Sequence, residues 1–421
     1  MKKILILGGI THMLDVVKEA KNKGLYTIVC DYSPTSPAKL LADKAYDIST
    51  IDIDALETVA RENEIDAVFA GFEDLNTWNA LELCKRLNLP FYATRDQLFT
   101  TSNKANFKQK CREAGVPVVP EYKMASAEEA YAIPVEAFPV IIKPVDNYGS
   151  KGITVCKNAD ELYEAYSKAV GFSKTQSAIV EHFVKGYGVE MYYTIVNGAA
   201  YLSAMTDRYV VEQGSGVPPL PTATIFPSKH LDDFCKGGMD EKMKNLIRLM
   251  QIKNGLVLFQ AVLEDDHVYV YEMAYRLTGE QHYQIIKKET GLNLMQFMID
   301  LSLGNDVSDY KVEKYGVDCL PTPACNYAIL LKAGKVSKIQ GLEDVIALPE
   351  VVSYVQTIFE GDEIETIGNY GQIVLRLNIV AGSQERLLDI FNYINNNFKV
   401  LDPNGEDLIL TRFESKDIFK K

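Results

Sequence analysis

The chain has 421 residues, 47% of them apolar and 24% charged, and a net charge of −13. The length calls for two to four domains, and the composition is that of a globular protein. The acidic balance excludes nucleic acid and anionic membrane as general partners, because both need a basic face. It leaves room for a local cluster of Lys and Arg that holds a phosphate compound.

The seven cysteines are scattered, with no C-x-x-C and no histidine at metal-ligand spacing. Reduced thiols in the cytoplasm are therefore expected, and a zinc site is not. No apolar run reaches the length of a membrane span. The opening Met1-Lys2-Lys3-Ile4-Leu5-Ile6-Leu7 meets Gly8-Gly9 too soon for a signal peptide and reads as a first strand.

Residues 13–23 follow as a helix stopped by Gly24, and Tyr26-Thr27-Ile28-Val29-Cys30 as a second strand ending in Asp31. This is a βαβ opening. An acid after the second strand invites a dinucleotide, but Gly8-Gly9 lacks the third glycine of G-x-G-x-x-G, so NAD is not expected. A strand at 66–70, a helix at 73–87 and a short strand at Pro90-Phe91-Tyr92 complete a doubly wound unit of residues 1–97.

A helix begins at 103–108 and ends at Gly115, followed by a proline-punctuated connector, 116–120, and a short helix at 125–131. Then comes Val140-Ile141-Ile142, a β-branched run suited to a buried strand, ending in Lys143. A lysine beside a buried strand needs an anionic partner. Gly149-Ser150-Lys151-Gly152 lets the backbone point several N–H groups at one spot, a shape suited to phosphate, and Ile153-Thr154-Val155 is the returning strand. No Walker A pattern occurs. The segment reads either as a flap over a triphosphate or as a flexible surface hairpin.

A helix at 159–170 precedes strands at 178–184 and 190–196. Residues 206–230 read as a long loop, with four prolines and two glycines between Asp207 and Ser228. A helix at 239–252 leads to strands 256–262 and 267–273, joined by an acidic turn. Gln260 and Glu272 interrupt these apolar strands and face each other across the hairpin. Such a pair either binds Mg²⁺, which takes a few protein oxygens plus phosphate and water, or is a polar pair on a solvated face. Arg276 lies four residues beyond Glu272. From about residue 310 the chain is rich in short strands and turns, closed by a helix at 384–396.

Lys104, the Lys143 strand, the Gly149–Gly152 loop, Glu181 to Val184, Glu190, Gln260 and Glu272-x-x-x-Arg276-x-x-Gly279 stand in the order and spacing of the ATP-grasp superfamily. The chain resembles its carboxylate–amine ligase branch, which includes the L-amino-acid ligases and relatives of biotin carboxylase and the carbamoyl-phosphate synthase large subunit. The resemblance implies an α/β (α+β grasp) fold in three parts. These are a Rossmann-like pre-ATP-grasp domain (1–97), an ATP-grasp domain (98–309) with a flap subdomain at about 115–187, and a small β-rich C-terminal domain (310–421).

The resemblance also implies roles. Lys104 and Lys143 would contact phosphates, under a flap of Tyr148, Gly149, Ser150, Lys151 and Gly152. Glu181, His182 and Val184 would hold adenine, and Glu190 the ribose. Gln260 and Glu272 would bind Mg²⁺, or Mn²⁺ in its place. Arg276, with Lys143, would serve transfer of the γ-phosphoryl group. Arg208, Arg276, Gly279 and His282 are the candidate contacts to substrate, in a pocket expected from 206–230 and 276–283. The implied reaction activates a small carboxylate as an acyl phosphate and joins it to an amine, releasing ADP and phosphate, in a cytoplasmic enzyme that is usually a homodimer. Ala274 departs from the family, which usually has Asn there. A bicarbonate-using carboxylase and an ATP-binding protein with impaired catalysis are the alternatives.

Overall fold

The computed structural model describes residues 1–147, 152–184, 186–214, 217, 219–264, 267–317, 320 and 322–414. Of the expected flap residues, Tyr148, Gly149, Ser150 and Lys151 lie outside them. The fold is mixed α/β.

The chain opens with a four-stranded parallel sheet in the order Lys44–Asp47, Tyr26–Asp31, Lys3–Leu7, Ala67–Phe69. Ile4 to Leu7 are completely buried, which is why this run forms the sheet's interior. Asp31, the acid that invited a dinucleotide, accepts hydrogen bonds from the Gly9 and Ser33 N–H groups and the Ser36 hydroxyl at 2.7–2.8 Å. Its carboxylate fastens the loop after the first strand.

The expected strand at 90–92 does not form. The Tyr92 hydroxyl donates to Tyr275 O (2.9 Å) and the Tyr275 hydroxyl donates to Tyr92 O (3.1 Å), so this apolar run is a bolt to the central sheet instead. The expected helix at 125–131 is a 3-10 turn, Ala127–Ala132, packed on the helix Ala159–Gly171. The flap strands Val140–Pro144 and Thr154–Cys156 pair antiparallel in a four-stranded sheet with Ala178–His182 and Glu121–Tyr122.

The centre of the molecule is an eight-stranded antiparallel sheet. Its order is His267–Ala274, Gly255–Glu264, Tyr187–Val196, Ala199–Val211, Leu220–Phe226, Ala324–Leu330, Ile373–Val380, Val351–Gln356. The loop expected at 206–230 is thus corrected: it contains the end of the strand Ala199–Val211 and the whole of Leu220–Phe226, all seven residues of which are buried. The prolines misled because they stand where a missing N–H is tolerated. Pro219 precedes the strand, Pro227 follows it, and Pro221 pairs with Val210 at a register shift. The sheet also crosses residue 310 unbroken, through the pairing of Ala223 to Phe226 with Tyr327 to Ala324.

Candidate active site

Three strands set the floor of the site. Gln260 is opposite Glu190 on one side and Glu272 on the other. A bulge follows at once: Ala261 pairs with Val270, leaving Tyr271 as the extra residue beside Glu272. The Tyr271 hydroxyl therefore reaches Gln260 Oε1, at 3.4 Å, and accepts from Arg208 Nη1 at 3.2 Å. Glu272 is exposed towards a cavity of about 560 Å³, whose wall also includes Lys104, Gln260, Ala274, Arg276 and Gly279. Lys104 thus meets at one surface residues that lie 156 to 175 positions further along the chain.

Lys104 begins a helix capped by the Asn103 side chain, which accepts from Asn106 N. Its ammonium donates to Asn147 O at 2.9 Å. Burial lowers its pKa, with the Glu272 carboxylate in opposition. Lys143 lies 2.6 Å from Glu181 Oε2, while Lys108, fully buried, lies 2.7 Å from the other oxygen. Burial alone would raise the Glu181 carboxyl, but Lys143 and Lys108 together hold it below the usual carboxylate range. Glu181, expected at adenine, has its side chain bound between two lysines. His182 lies 3.6 Å from Glu264, and Val184 is half-buried beyond that strand. Gly152 has φ +78°, and a Cβ there would lie 2.8 Å from both Pro144 and Phe172, so the loop's end needs glycine.

Arg276 grips Asp74 with two hydrogen bonds, 2.7 and 2.8 Å, at the start of the helix Asp74–Leu87. Beside it, His12 Nε2 lies 3.0 Å from Gly279 O. Burial, then the positive charge of Arg376, lowers the His12 pKa to about 4. Glu190, expected at ribose, is completely buried. It accepts from the Tyr192 hydroxyl (2.7 Å) and from Gln260 Nε2 (2.8 Å). Burial, then the negative charge of Glu280, pushes its carboxyl up to about 7. Arg208 and His282 cluster about Glu190, on the same face of the sheet as Gln260, and do not line the cavity; none of the described residues of 206–230 does, whereas Arg276, Thr278, Gly279 and Glu280 do.

Sequence reasoning missed Lys108, Asp74, His12, Glu280 and Arg376. The last had a signal: Arg376 is the lone charge in the apolar run Ile373–Val380, and its guanidinium lines the cavity while bound to the Asn326 amide oxygen. Lys108 had none beyond its helix position, because its partner lies 73 residues away.

Residues 103–310 match the family described as carbamoyl-phosphate synthase L chain, ATP binding domain. This segment is an ATP-grasp domain. The chain is 22% identical, over 311 residues, to the carbamoyl phosphate synthase large chain of Clostridium acetobutylicum, covering 73% of this chain and 28% of that one. It is 28% identical, over 188 residues, to the formate-dependent phosphoribosylglycinamide formyltransferase of Bacteroides thetaiotaomicron, covering 44% and 48%. The chain therefore spans half or less of the length of these two relatives. Its fold is similar to that of the L-amino acid ligase from Bacillus licheniformis, with a TM-score of 0.78, 19% identity, and 96% and 99% of the two chains covered. The floor and the flap of the cavity thus come from the ATP-grasp domain, while Asp74, His12 and Arg376 are contributed from outside it. Among the described residues no helix is long and apolar enough to cross a membrane.

Proposed function

We propose that the chain is an ATP-dependent carboxylate–amine ligase. One observation carries this reading: Lys104, Arg276 and Arg376 share a cavity wall with Gln260 and Glu272, so cations and metal-type oxygens converge on one space. The donor set fits Mg²⁺, since an exposed carboxylate and a side-chain carbonyl stand opposite in register and Mg²⁺ prefers a few such oxygens. When bound, the metal would neutralise phosphate charge. Lys104 and Lys143 would hold the phosphates of ATP, and the flap, with Gly152 as its hinge, would exclude water. Arg276 would meet charge developing on the transferred phosphoryl group, and Arg376 an anionic group of the substrate. The carboxylate, once phosphorylated, carries a good leaving group; an amine displaces it, giving an amide with ADP and phosphate.

The domain division at about 97 and 310, the pairing of two copies and cytoplasmic residence belong to the same reading. The alternative is a bicarbonate-using reaction. The test is phosphate release with Mg-ATP across pairs of amino acids and other small acids and amines. Turnover that needs both a carboxylate and an amine supports the ligase. ATP binding without turnover across the panel, or turnover with bicarbonate alone, rejects it.

A further inference from the structure

On the same face of the sheet as Gln260, Glu190, Glu280 and His282 are all buried, and one ligand atom from each lies within 4.8 Å of the other two. Among the described residues this is the one group of three metal-ligating side chains so placed. The Tyr192 hydroxyl stands between them, 2.7 Å from Glu190, 3.2 Å from His282 Nε2 and 3.4 Å from Glu280. His282 is held there by its position at the start of the helix His282–Thr290, after Gln281 in a left-handed conformation with φ +57°. Asp15 fixes that turn by accepting from Gln281, Tyr283 and Gln284.

With both carboxyls ionised, the hydrogen bonding among these groups does not close. A phenol donates one proton, and here the short contact is to Glu190. Take His282 with its proton on Nε2: it donates to the Tyr192 oxygen, and the Nδ1 lone pair then faces Glu280 Oε2 at 3.5 Å. With the proton on Nδ1, the Nε2 lone pair faces a hydroxyl whose proton is already given to Glu190. Among the described residues Nδ1 finds no hydrogen-bond partner, and His282 is only 1% exposed. The neighbouring cations leave this unresolved. Arg208 Nε lies 3.5 Å from Glu190 and finds no hydrogen-bond partner among the described residues, and Arg376 is bonded to Asn326. Unpaired acceptors facing each other in a dry site are costly. Burial keeps the imidazole neutral, with a pKa of about 4, as a metal ligand must be.

We propose that Glu190, Glu280 and His282 bind a divalent transition-metal ion, with the Tyr192 hydroxyl as a fourth donor. Two carboxylates and one imidazole suit Mn²⁺, Co²⁺ or Zn²⁺ better than Mg²⁺, which favours oxygens alone and keeps its waters. The site adjoins Gln260, whose amide donates to Glu190, but takes neither Gln260 nor Glu272 as a ligand, and it needs no nucleotide. Glu280 lines the cavity while Glu190 and His282 do not, so the ion would sit in the cavity's rear wall. A search for Cys and His spacing cannot find such a site, because two of its ligands are glutamates and Glu190 is 92 residues from His282.

The test uses the full chain, stripped of metal and free of nucleotide. Titration calorimetry with Zn²⁺, and visible absorption with Co²⁺, should show one equivalent bound. His282→Ala and Glu280→Gln should each weaken it at least about tenfold, the lower end of what even an outer-shell partner costs. Glu272→Ala should leave it unchanged. Absence of binding without nucleotide overturns the proposal, and means that a proton closes the cluster instead. Binding that is lost in Glu272→Ala, or kept in Glu280→Gln, overturns it too. If His282→Ala fails to fold, Glu280→Gln decides. Failure here leaves the Mg-ATP reading untouched, since that is measured by turnover.

Discussion

Arg276 and Asp74 form a two-pronged ion pair that joins the segment just after the edge strand His267–Ala274 to the start of a helix 202 positions earlier. Both side chains are mostly shielded, at 14% and 26% exposure. Asp74→Ala should therefore destabilise the protein by about 2 kcal/mol, the range for a hydrogen bond to a charged group. Arg276→Ala should cost a similar amount, and the double variant should cost little more than either alone. Urea denaturation of the four proteins checks this; additive losses would show that the pair is not coupled.

The two basic residues of the proposed reaction should separate kinetically. Lys143→Ala should weaken nucleotide binding at least about tenfold, since it removes a charged contact made in the ground state. Arg276→Ala should instead lower kcat by about a hundredfold, because its charge is needed most in the transition state. Calorimetric affinity for Mg-ADP, beside steady-state turnover, distinguishes the two. Equal losses of affinity in both would reverse the assignment.

Ala274 lines the cavity beside Glu272, two residues along the same strand. Ala274→Asn should lower the Mg²⁺ concentration needed for half-maximal ADP release, because the strand already directs the new carbonyl at the metal. A Mg²⁺ titration of both forms checks it. Abolished turnover would mean that the space is required by the substrate.

Acid should weaken the fold through His12. Its folded pKa of about 4 lies below the ordinary 6.5, so the unfolded chain binds the proton first. The stability tied to neutral His12 is complete above pH 6.5 and is lost as pH falls from 6.5 towards 4. The shift from 6.5 to about 4 corresponds to about 3 kcal/mol. His12→Gln keeps a donor for Gly279 O and does not titrate, so its stability curve should be flatter across that window. Denaturation midpoints at several pH values measure the difference; parallel curves would count against His12 as a source of acid sensitivity.

Much of the fold was legible because buried strands write themselves as β-branched runs, as in Ile4 to Leu7 and Val140 to Ile142. Gln260 and Glu272 were legible for the complementary reason, as polar residues breaking such runs. What stayed hidden depends on contacts between distant positions. The bulge at Tyr271 is a matter of register, and nothing in its neighbours announces it. Lys108 looks like one more surface lysine of a basic helix until Glu181 is brought against it. Residues 206–230 were misread because proline was weighed by number rather than by place in the sheet.

The unbroken central sheet sets a limit on how the chain can be divided. Leu220–Phe226 is paired along one side to Ala324–Leu330, and the Thr222 hydroxyl donates to Ala328 O at 3.0 Å. Ending the chain at 310, where the family match stops, would strip that partner and leave seven buried residues as a bare, adhesive edge. The excised domain should then self-associate through that edge, seeking from other molecules the strand it has lost. The last hundred residues would thus guard against aggregation, a service unconnected with catalysis.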